Sequence, residues 1–331
     1  MMKPVAVIFG VNGFLGRYLA RHWTRSGYEV VAVGRSQRGW GGDGMFLPWD
    51  GKNPGPWELA LEGAAVVVNL AGRSVNCRYD ENNRRAILES RIDSTVAIGA
   101  AIRKCHKPPG LWINVGTATY YRHAEDRPQD EWRGEPGDGF SADVARRWEE
   151  VFFGDVTPAA VRKIVVRTGI VMANEKDTAF AILKRLAQIG LAGAMGSGEQ
   201  RVSWIHTSDW LDALDFLLAN PLLDGVFNLT APECPTNRRL LDSLREKVAM
   251  PIGLPTAQWM IALGAALLKT EPELVLKSRW VEPARLIDEG FVFRWPLWCN
   301  AVEDLLTREG LAGHFRECSR RSMGLRVWAQ A

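Results

Sequence analysis

The feature that most constrains the fold is the stretch from residue 5 to residue 16. An apolar run, Val5–Phe9, enters a turn with glycines at positions 10, 13 and 16, and a helical pattern follows. A buried strand, a glycine turn and a helix N-terminus together bind a pyrophosphate through backbone N–H groups and the helix dipole. Glycine permits the sharp turn and the close approach of the phosphates. The stretch therefore predicts a dinucleotide site that includes Gly10, Asn12, Gly13, Phe14, Leu15 and Gly16.

Strand and helix patterns alternate through the first half of the chain. This alternation is typical of a parallel sheet with helices on both faces, so the predicted fold class is α/β, a doubly wound Rossmann sheet. The predicted strands are Val5–Phe9, Glu29–Val33, Met45–Trp49, Ala64–Leu70, Leu111–Val115 and Lys163–Arg167. The predicted helices are Phe14–Ser26, Glu81–Lys104 and Ala142–Phe153.

The pattern changes after about residue 170, where short strands and helices mix before helices dominate. This part contains a helix over Thr178–Gln188, strands over Val202–Ile205 and Val226–Leu229, and a helix over Ser208–Ala219. We therefore predict a second, smaller and mainly helical substrate cap. The predicted division is a nucleotide domain over 1–172, to which 200–228 returns, a cap over 173–199 and 229–315, and a tail over 316–331.

The residue after the second predicted strand indicates which dinucleotide is bound. An NAD enzyme places an acid there to bind the ribose hydroxyls, whereas this chain has Arg35. A guanidinium pairs bidentately with a 2′-phosphate, and Ser36 and Arg38 add a hydroxyl and a second charge. The sequence therefore favours NADP over NAD as the cofactor.

Two further strand ends extend the predicted cofactor site. Asp50 follows the third strand, where its carboxylate either accepts from the adenine amino group or forms a local Asx turn. Leu70, Ala71 and Gly72 follow the fourth strand and offer small residues where the backbone lies against a ribose. Arg73, Cys77, Arg78 and Arg85 come next and either bind an acidic substrate or form a solvated face.

With these motifs in this order along the sequence, the chain resembles the extended, epimerase-like branch of the short-chain dehydrogenase/reductase superfamily. The resemblance is greater to an atypical subgroup of epimerase family proteins that has its own C-terminal domain. It covers roughly residues 4–310. The segments that carry it are Asn69–Gly72, Ser90–Thr95, Gly134–Phe140, Arg147–Glu149, Val166–Val171, Trp204–Asp209, Asn228–Pro232, Arg279, Pro283 and Gly290–Phe293.

The resemblance implies a Tyr-x-x-x-Lys pair after the fifth strand, with a Ser or Thr at that strand's end. Thr117 fits the hydroxyl position, but Ser141 falls at the tyrosine position and Ala145 at the lysine position. The usual proton-transfer pair is therefore absent. Tyr121 is the better of two nearby tyrosines to replace it, with packing as the alternative role.

The resemblance also suggests that Arg167, at the end of the sixth strand, orients loops around the nicotinamide. The predicted catalytic residues are thus Thr117 and Tyr121, and Arg167 joins the cofactor site. Three functions remain open. The first is an NADP(H)-dependent reductase or epimerase acting on a small polar or sugar-like substrate, with a noncanonical proton donor. The others are a non-catalytic NADP(H) sensor and a lyase or cyclase.

Composition limits the partners that the chain can have. The 331 residues carry a formal net charge of +3, too little to indicate nucleic acid or an anionic membrane surface. The five cysteines lack the spacing of a metal site or a disulfide framework. Because a core strand begins within four residues of the N-terminus and no apolar run reaches a membrane span, we expect a cytoplasmic protein with a small-molecule substrate. A homodimer is compatible with the sequence.

Overall fold

A computed structural model describes residues 3–38, 40–42, 44–255 and 276–307. Its centre is a sheet of seven strands, all paired in parallel. In spatial order these strands are β3 (Met45–Pro48), β2 (Glu29–Gly34), β1 (Val5–Phe9), β4 (Val66–Asn69), β5 (Leu111–Thr117), β6 (Arg162–Thr168) and β9 (Gly225–Leu229). A separate parallel pair contains β7 (Ile170–Met172) and β8 (Trp204–His206).

Helices cover both faces of this sheet. Along β1, Ala6 and Ile8 pack into one apolar cluster, and Val7 and Phe9 pack into another on the opposite face. A strand buried on both faces must be apolar at every position, which is why β1 shows no alternation of polar residues. The helices of the first face are α1 (Phe14–Arg25) and α5 (Thr207–Ala219), and those of the second are α2 (Glu81–Lys104) and α3 (Phe140–Gly154).

The remaining helices build a third apolar cluster beside the sheet. It centres on Trp204 and Trp298, whose rings meet edge-on at 4.9 Å. The helices of this part are α4 (Ala179–Gln188), α6 (Asn237–Lys247), α7 (Ala284–Asp288) and α8 (Trp298–Thr307), and all but α7 contribute residues to that cluster. This is the smaller, mainly helical part that the sequence predicts.

The predicted fold class is confirmed, and the differences lie at element ends. The helix over Glu81–Lys104 has the predicted bounds, whereas β5 continues two residues beyond the predicted Leu111–Val115. The strand β7 was not predicted, since three residues directly after Gly169 give no measurable periodicity. The strand predicted over Val202–Ile205 instead spans Trp204–His206, and Val202 makes an isolated bridge to Arg279.

Segments of the nucleotide part and the cap interleave after residue 170. The strand β9 joins the edge of the main sheet, and α5 packs in the same cluster as α1. By contrast, β8 pairs with β7 in the separate two-stranded sheet. The proposed tail over 316–331 lies outside the described residues, as do parts of the predicted cap. Across the described ranges, every helix is too short or too polar to cross a bilayer.

Candidate cofactor and substrate site

Two cavities lie at the carboxyl ends of the central strands. Their volumes are about 590 Å³ and 530 Å³, and both are lined by residues 70–74 after β4. We call the first the nucleotide cavity, because Gly10, Gly13 and Arg35 line it, and the second the reaction cavity, because Thr117 lines it. Ligands of open parallel sheets bind at this edge, where the connections on either side of β1 and β4 run in opposite directions.

The glycine turn has the geometry of a pyrophosphate cradle. A Cβ on Gly10 would lie 2.6 Å from the carbonyl of Leu70, and its φ of 78° is one that L side chains rarely adopt. A Cβ on Gly16 would lie 2.6 Å from the Cα of Val11, so this glycine lets α1 pack against the turn. Only glycine permits these approaches. Gly16 is buried and supports the turn, while Gly10 and Gly13 line the nucleotide cavity.

The N-terminus of α1 is left open for an anion. Gly13 is its N-cap and has no side chain to accept from the first amides, and the first turn contains no acidic residue. The first-turn N–H groups of a helix have no helical acceptor and carry a partial positive charge. These amides can therefore bind a phosphate without a competing carboxylate. Phe14 and Leu15 themselves line the adjoining reaction cavity.

The end of β2 is tied to the glycine turn through Asn12. Its Nδ2 donates to the carbonyl of Ser36 at 2.7 Å, which fixes Arg35 beside the turn. The exposed Arg35 side chain lines the nucleotide cavity and makes no hydrogen bond within the described part of the chain. Ser36 does not line the cavity, and its Oγ accepts from the N–H of Arg38 at 3.1 Å. Arg35 is thus the group available for a 2′-phosphate.

Asp50 forms a local Asx turn, which is one of the two roles that its sequence position allowed. Its Oδ1 accepts from the backbone N–H of Lys52 at 3.0 Å and of Asn53 at 2.9 Å. These hydrogen bonds lower the pKa of Asp50 to about 2, so its carboxylate is ionised. Asp50 also lines the nucleotide cavity, and an adenine contact stays a prediction.

A buried asparagine fixes the backbone between the two cavities. The Asn69 side chain is fully buried at the end of β4, where its Nδ2 donates to Asn114 Oδ1 at 3.0 Å. Its Oδ1 accepts from the N–H of Ala71 at 3.0 Å. This pair of hydrogen bonds holds Leu70, Ala71 and Gly72 across the edge of the sheet, where all three line both cavities.

The reaction cavity presents hydroxyl groups from two elements. Thr117 ends β5, and its Oγ1 accepts from the N–H of Thr119 at 3.2 Å. Ser141 lies in the first turn of α3, and its buried Oγ has no partner among the described residues. Further lining residues are Leu70, Arg73, Tyr79, Ile87, Arg91, Thr119, Phe140, Val144, Trp148 and Thr168.

The structure places Tyr121, the predicted proton donor, away from the reaction cavity. Its side chain is fully buried outside the reaction cavity, and its hydroxyl donates to Asn228 Oδ1 at 3.0 Å. The cause is a single helical turn over Ala118–Tyr120, whose N-cap is Thr117 and after which Tyr121 points into the protein. Burial raises the pKa of Tyr121 to about 12. Tyr121 therefore packs the interior, which was the alternative role.

Arg167 also lies away from both cavities. Its Nε and Nη2 donate to the two carboxylate oxygens of Glu149 at 2.8 and 2.6 Å, and both side chains are buried. Its guanidinium stacks on the Tyr120 ring at 3.4 Å and lies 4.8 Å from the Tyr121 ring. Because Arg167 lines neither cavity, its side chain does not reach the predicted cofactor site. Arg167 instead holds together β6, α3 and the helical turn over Ala118–Tyr120.

Two segments of the chain match known family models. Residues 6–139 match the NAD-dependent epimerase/dehydratase family, and residues 259–305 match a domain of unknown function, DUF1731. The chain is thus similar to epimerase family proteins in both its N-terminal and its C-terminal part. The predicted resemblance to atypical epimerase-like reductases with their own C-terminal domain is confirmed.

Similar proteins match the chain over most of their length. It is 27% identical to mouse epimerase family protein SDR39U1, over 91% of this chain and 99% of the relative. It is 27% identical to epimerase family protein SAR0825 of Staphylococcus aureus, with the same coverage. The crystal structure of human SDR39U1, solved with NADPH, superposes with a TM-score of 0.80 at 25% identity, covering 92% of this chain and 99% of that one.

Sequence reasoning missed part of the reaction cavity, and its clearest omission is Arg91. This residue lies on α2 four positions after Ile87 and four before Thr95, both of which are buried. Residues four apart share one helix face, so the spacing would have placed Arg91 on the buried face. Arg91 and Trp148 both lie in segments that carry the family resemblance, but neither was recognised from the sequence as a cavity residue.

Proposed function

We propose that this protein binds NADP(H) across the two cavities and acts as an atypical reductase or epimerase on a small polar or sugar-like molecule. The observation that carries the cofactor choice is Arg35, an unpaired guanidinium in the nucleotide cavity where an NAD enzyme places an acid. The open N-terminus of α1 supplies the pyrophosphate site. The NADPH bound to human SDR39U1 supports the same choice.

The protein's own groups orient the substrate in the proposed reaction. When bound, the nicotinamide supplies or accepts a hydride, and the protein needs only to position and polarise the reacting carbon. Thr117 ends β5 in the reaction cavity, and its hydroxyl donates a hydrogen bond to the substrate oxygen. Its Oγ1 is held by the N–H of Thr119. The proton itself comes from water, because a threonine hydroxyl is too weak an acid to release one at neutral pH.

The residues at the usual catalytic positions favour a second candidate, an NADP(H)-binding protein without turnover. Ser141 and Ala145 stand where the family's tyrosine and lysine are expected, and Tyr121 lies outside the reaction cavity. General acid catalysis typically contributes 10²–10⁴-fold to a rate, so a site lacking its acid is slow or inactive. Such a protein would use the cofactor as a structural or redox signal.

A turnover assay separates the two candidates. The protein is mixed with NADPH and a panel of small aldehydes, ketones and sugar nucleotides, and the absorbance of the reduced cofactor is followed. Loss of absorbance that disappears in Thr117→Val supports the reductase. A Ser243→Ala variant is the control, since it removes a hydroxyl that lies on α6 outside both cavities. Tight NADPH binding with no loss of absorbance, and with no epimerised product when the same compounds are incubated with NADP⁺, contradicts the reductase or epimerase and supports the binding protein.

A further inference from the structure

The reaction cavity contains a largely buried arginine that the proposed chemistry does not use. Arg91 projects from α2 and lines the reaction cavity, but it does not line the nucleotide cavity. Its guanidinium lies 5.4 Å from the centre of the Trp148 ring. Trp148 is itself fixed, because its Nε1 donates to Thr95 Oγ1 at 2.8 Å. Arg91 is therefore held in place before any ligand arrives.

One nitrogen of Arg91 is occupied by the protein. Nη1 donates to the carbonyl of Ile87 at 2.9 Å and to the carbonyl of Arg73 at 3.2 Å. Nε and Nη2 make no hydrogen bond to the described residues, and both nitrogens are accessible to solvent. These two nitrogens are one edge of the guanidinium fork, and that edge matches two oxygens of a carboxylate or phosphate.

The charge of Arg91 also lacks a counter-charge. Among the described residues, no aspartate or glutamate lines the reaction cavity, and Arg91 makes no ion pair. Burial lowers the pKa of Arg91 to about 10, which still leaves it charged at neutral pH. A buried cation is normally paired, since its desolvation is costly. The contact with Trp148 offsets part of that cost.

The geometry points to an oxyanion-bearing substrate, whose carboxylate or phosphate pairs with Arg91 while its carbonyl or hydroxyl group reaches Thr117. This inference rests on the proposed function, because it assumes that the reaction takes place in this cavity. The pyrophosphate of the cofactor is a poorer occupant. The glycines of its cradle, Gly10 and Gly13, line the other cavity, from which Arg91 is absent.

The two anionic groups that fit Arg91 can be told apart by titration. We would measure binding of inorganic phosphate, pyruvate and its neutral ester methyl pyruvate by calorimetry, with and without saturating NADPH. At least one of the two anions should bind the NADPH-saturated protein, and methyl pyruvate should bind at least tenfold more weakly than pyruvate if the site takes carboxylates. Preference for phosphate over pyruvate would identify a phosphorylated substrate.

Variants of Arg91 test whether it is the anion ligand. Arg91→Gln should weaken anion binding at least tenfold and leave the NADPH affinity within threefold. Arg91→Lys keeps the charge without the fork and should lose less. Arg85→Gln is the matched control, since Arg85 lies on the same helix but lines neither cavity, is exposed and pairs with Glu81 at 3.5 Å. It should leave both affinities unchanged.

Three results would overturn the inference. The first is that neither phosphate nor pyruvate binds the NADPH-saturated protein. The second is that Arg91→Gln and Arg91→Lys, with thermal midpoints near that of the parent, bind the anion as well as the parent does. The third is that Arg91→Gln weakens NADPH as much as the anion, which would make Arg91 a cofactor ligand. A parent protein that binds no NADPH would contradict the proposed function separately, and anion titration without cofactor would still test Arg91.

Discussion

At the scale of single residues, the cofactor choice depends on Arg35. Arg35→Asp places a carboxylate where we expect the 2′-phosphate, so NADPH should bind more than tenfold more weakly, about 1.4 kcal/mol, while NADH is spared. Fluorescence titration with each cofactor measures the change. Arg185→Asp is the control, because Arg185 is also exposed but lies on α4, away from the nucleotide cavity. Equal loss of both cofactors would mean that Arg35 does not bind the 2′-phosphate.

Thr117 and Tyr121 show how two residues only four positions apart can face different parts of the molecule. Thr117 lines the reaction cavity as its place at a strand end predicts, but four residues later the chain has turned inward. Sequence patterns locate strand ends well, whereas the direction of a side chain after a single helical turn depends on tertiary partners. Here those partners are Asn228 and Arg167, which are distant in sequence.

We therefore expect Tyr121→Phe to affect stability and not binding. Removing the hydroxyl leaves Asn228 Oδ1 without its donor, so the free energy of unfolding should fall by about 1–2 kcal/mol. The NADPH affinity should stay the same. Chemical denaturation followed by tryptophan fluorescence and a cofactor titration give the two numbers. Loss of turnover without loss of stability would return Tyr121 to the catalytic site.

At the scale of elements, the backbone conformation of the glycine turn determines whether the cofactor can bind. Gly10→Ala would introduce both an unfavourable φ and a clash with the Leu70 carbonyl, so the ends of β1 and β4 must separate. Gly27→Ala is a matched control, because Gly27 has a φ of 93° but open space around its Cβ position. The control should lose about 1 kcal/mol of stability and bind NADPH normally.

Gly10→Ala should lose more stability than Gly27→Ala and bind NADPH at least tenfold more weakly. Thermal unfolding and titration of both variants measure these effects. If the two variants lose the same stability and both retain the cofactor, the close approach of Gly10 to Leu70 does not form the cradle.

The strand and helix bounds were predictable where one periodicity persists. The helix over Glu81–Lys104 was predicted with its observed bounds, because it is long and begins with an N-cap, Asp80, whose side chain accepts from the N–H of Asn83. The three-residue β7 could not be found, since only its pairing with β8 defines it as a strand. Short elements are set by tertiary contacts and not by local pattern.

At the scale of the whole molecule, a buried carboxylate joins the sheet part to the C-terminal segment. Asp209, in the first turn of α5, accepts from the backbone N–H groups of Arg294 at 3.0 Å and Trp295 at 2.9 Å. Burial raises the pKa of Asp209 to about 7 in spite of these donors. Between about pH 4 and 7 the folded protein therefore binds more protons than the unfolded chain does.

The stabilising contribution of Asp209 should thus be greatest below about pH 4, fall as the pH rises toward 7, and level off above it. Asp209→Asn should flatten this slope, whose limit for one group is about 1.4 kcal/mol per pH unit. Burial also raises the pKa of Asp212, so some slope should remain. Unfolding free energies across this range measure it, with exposed Asp143→Asn as the control. An unchanged slope in Asp209→Asn would contradict the assignment.

The sheet and the nucleotide cavity were largely predictable, because both follow from buried strands and glycines that are continuous in sequence. The reaction cavity was less predictable from the sequence. Its walls come from α2, α3 and the ends of β4, β5 and β6, and their convergence depends on the packing of α2 against α3. That is why Arg91 emerges as a cavity residue only in three dimensions.

We expect this protein to select NADP(H) over NAD(H). Side-by-side calorimetric titration of the unmodified protein with NADPH and NADH tests it most directly, since the two ligands differ only in the 2′-phosphate. NADPH should bind at least tenfold more tightly, and the difference should shrink at high salt because Arg35 is exposed. Equal affinity for the two cofactors, or tighter binding of NADH, would contradict the claim.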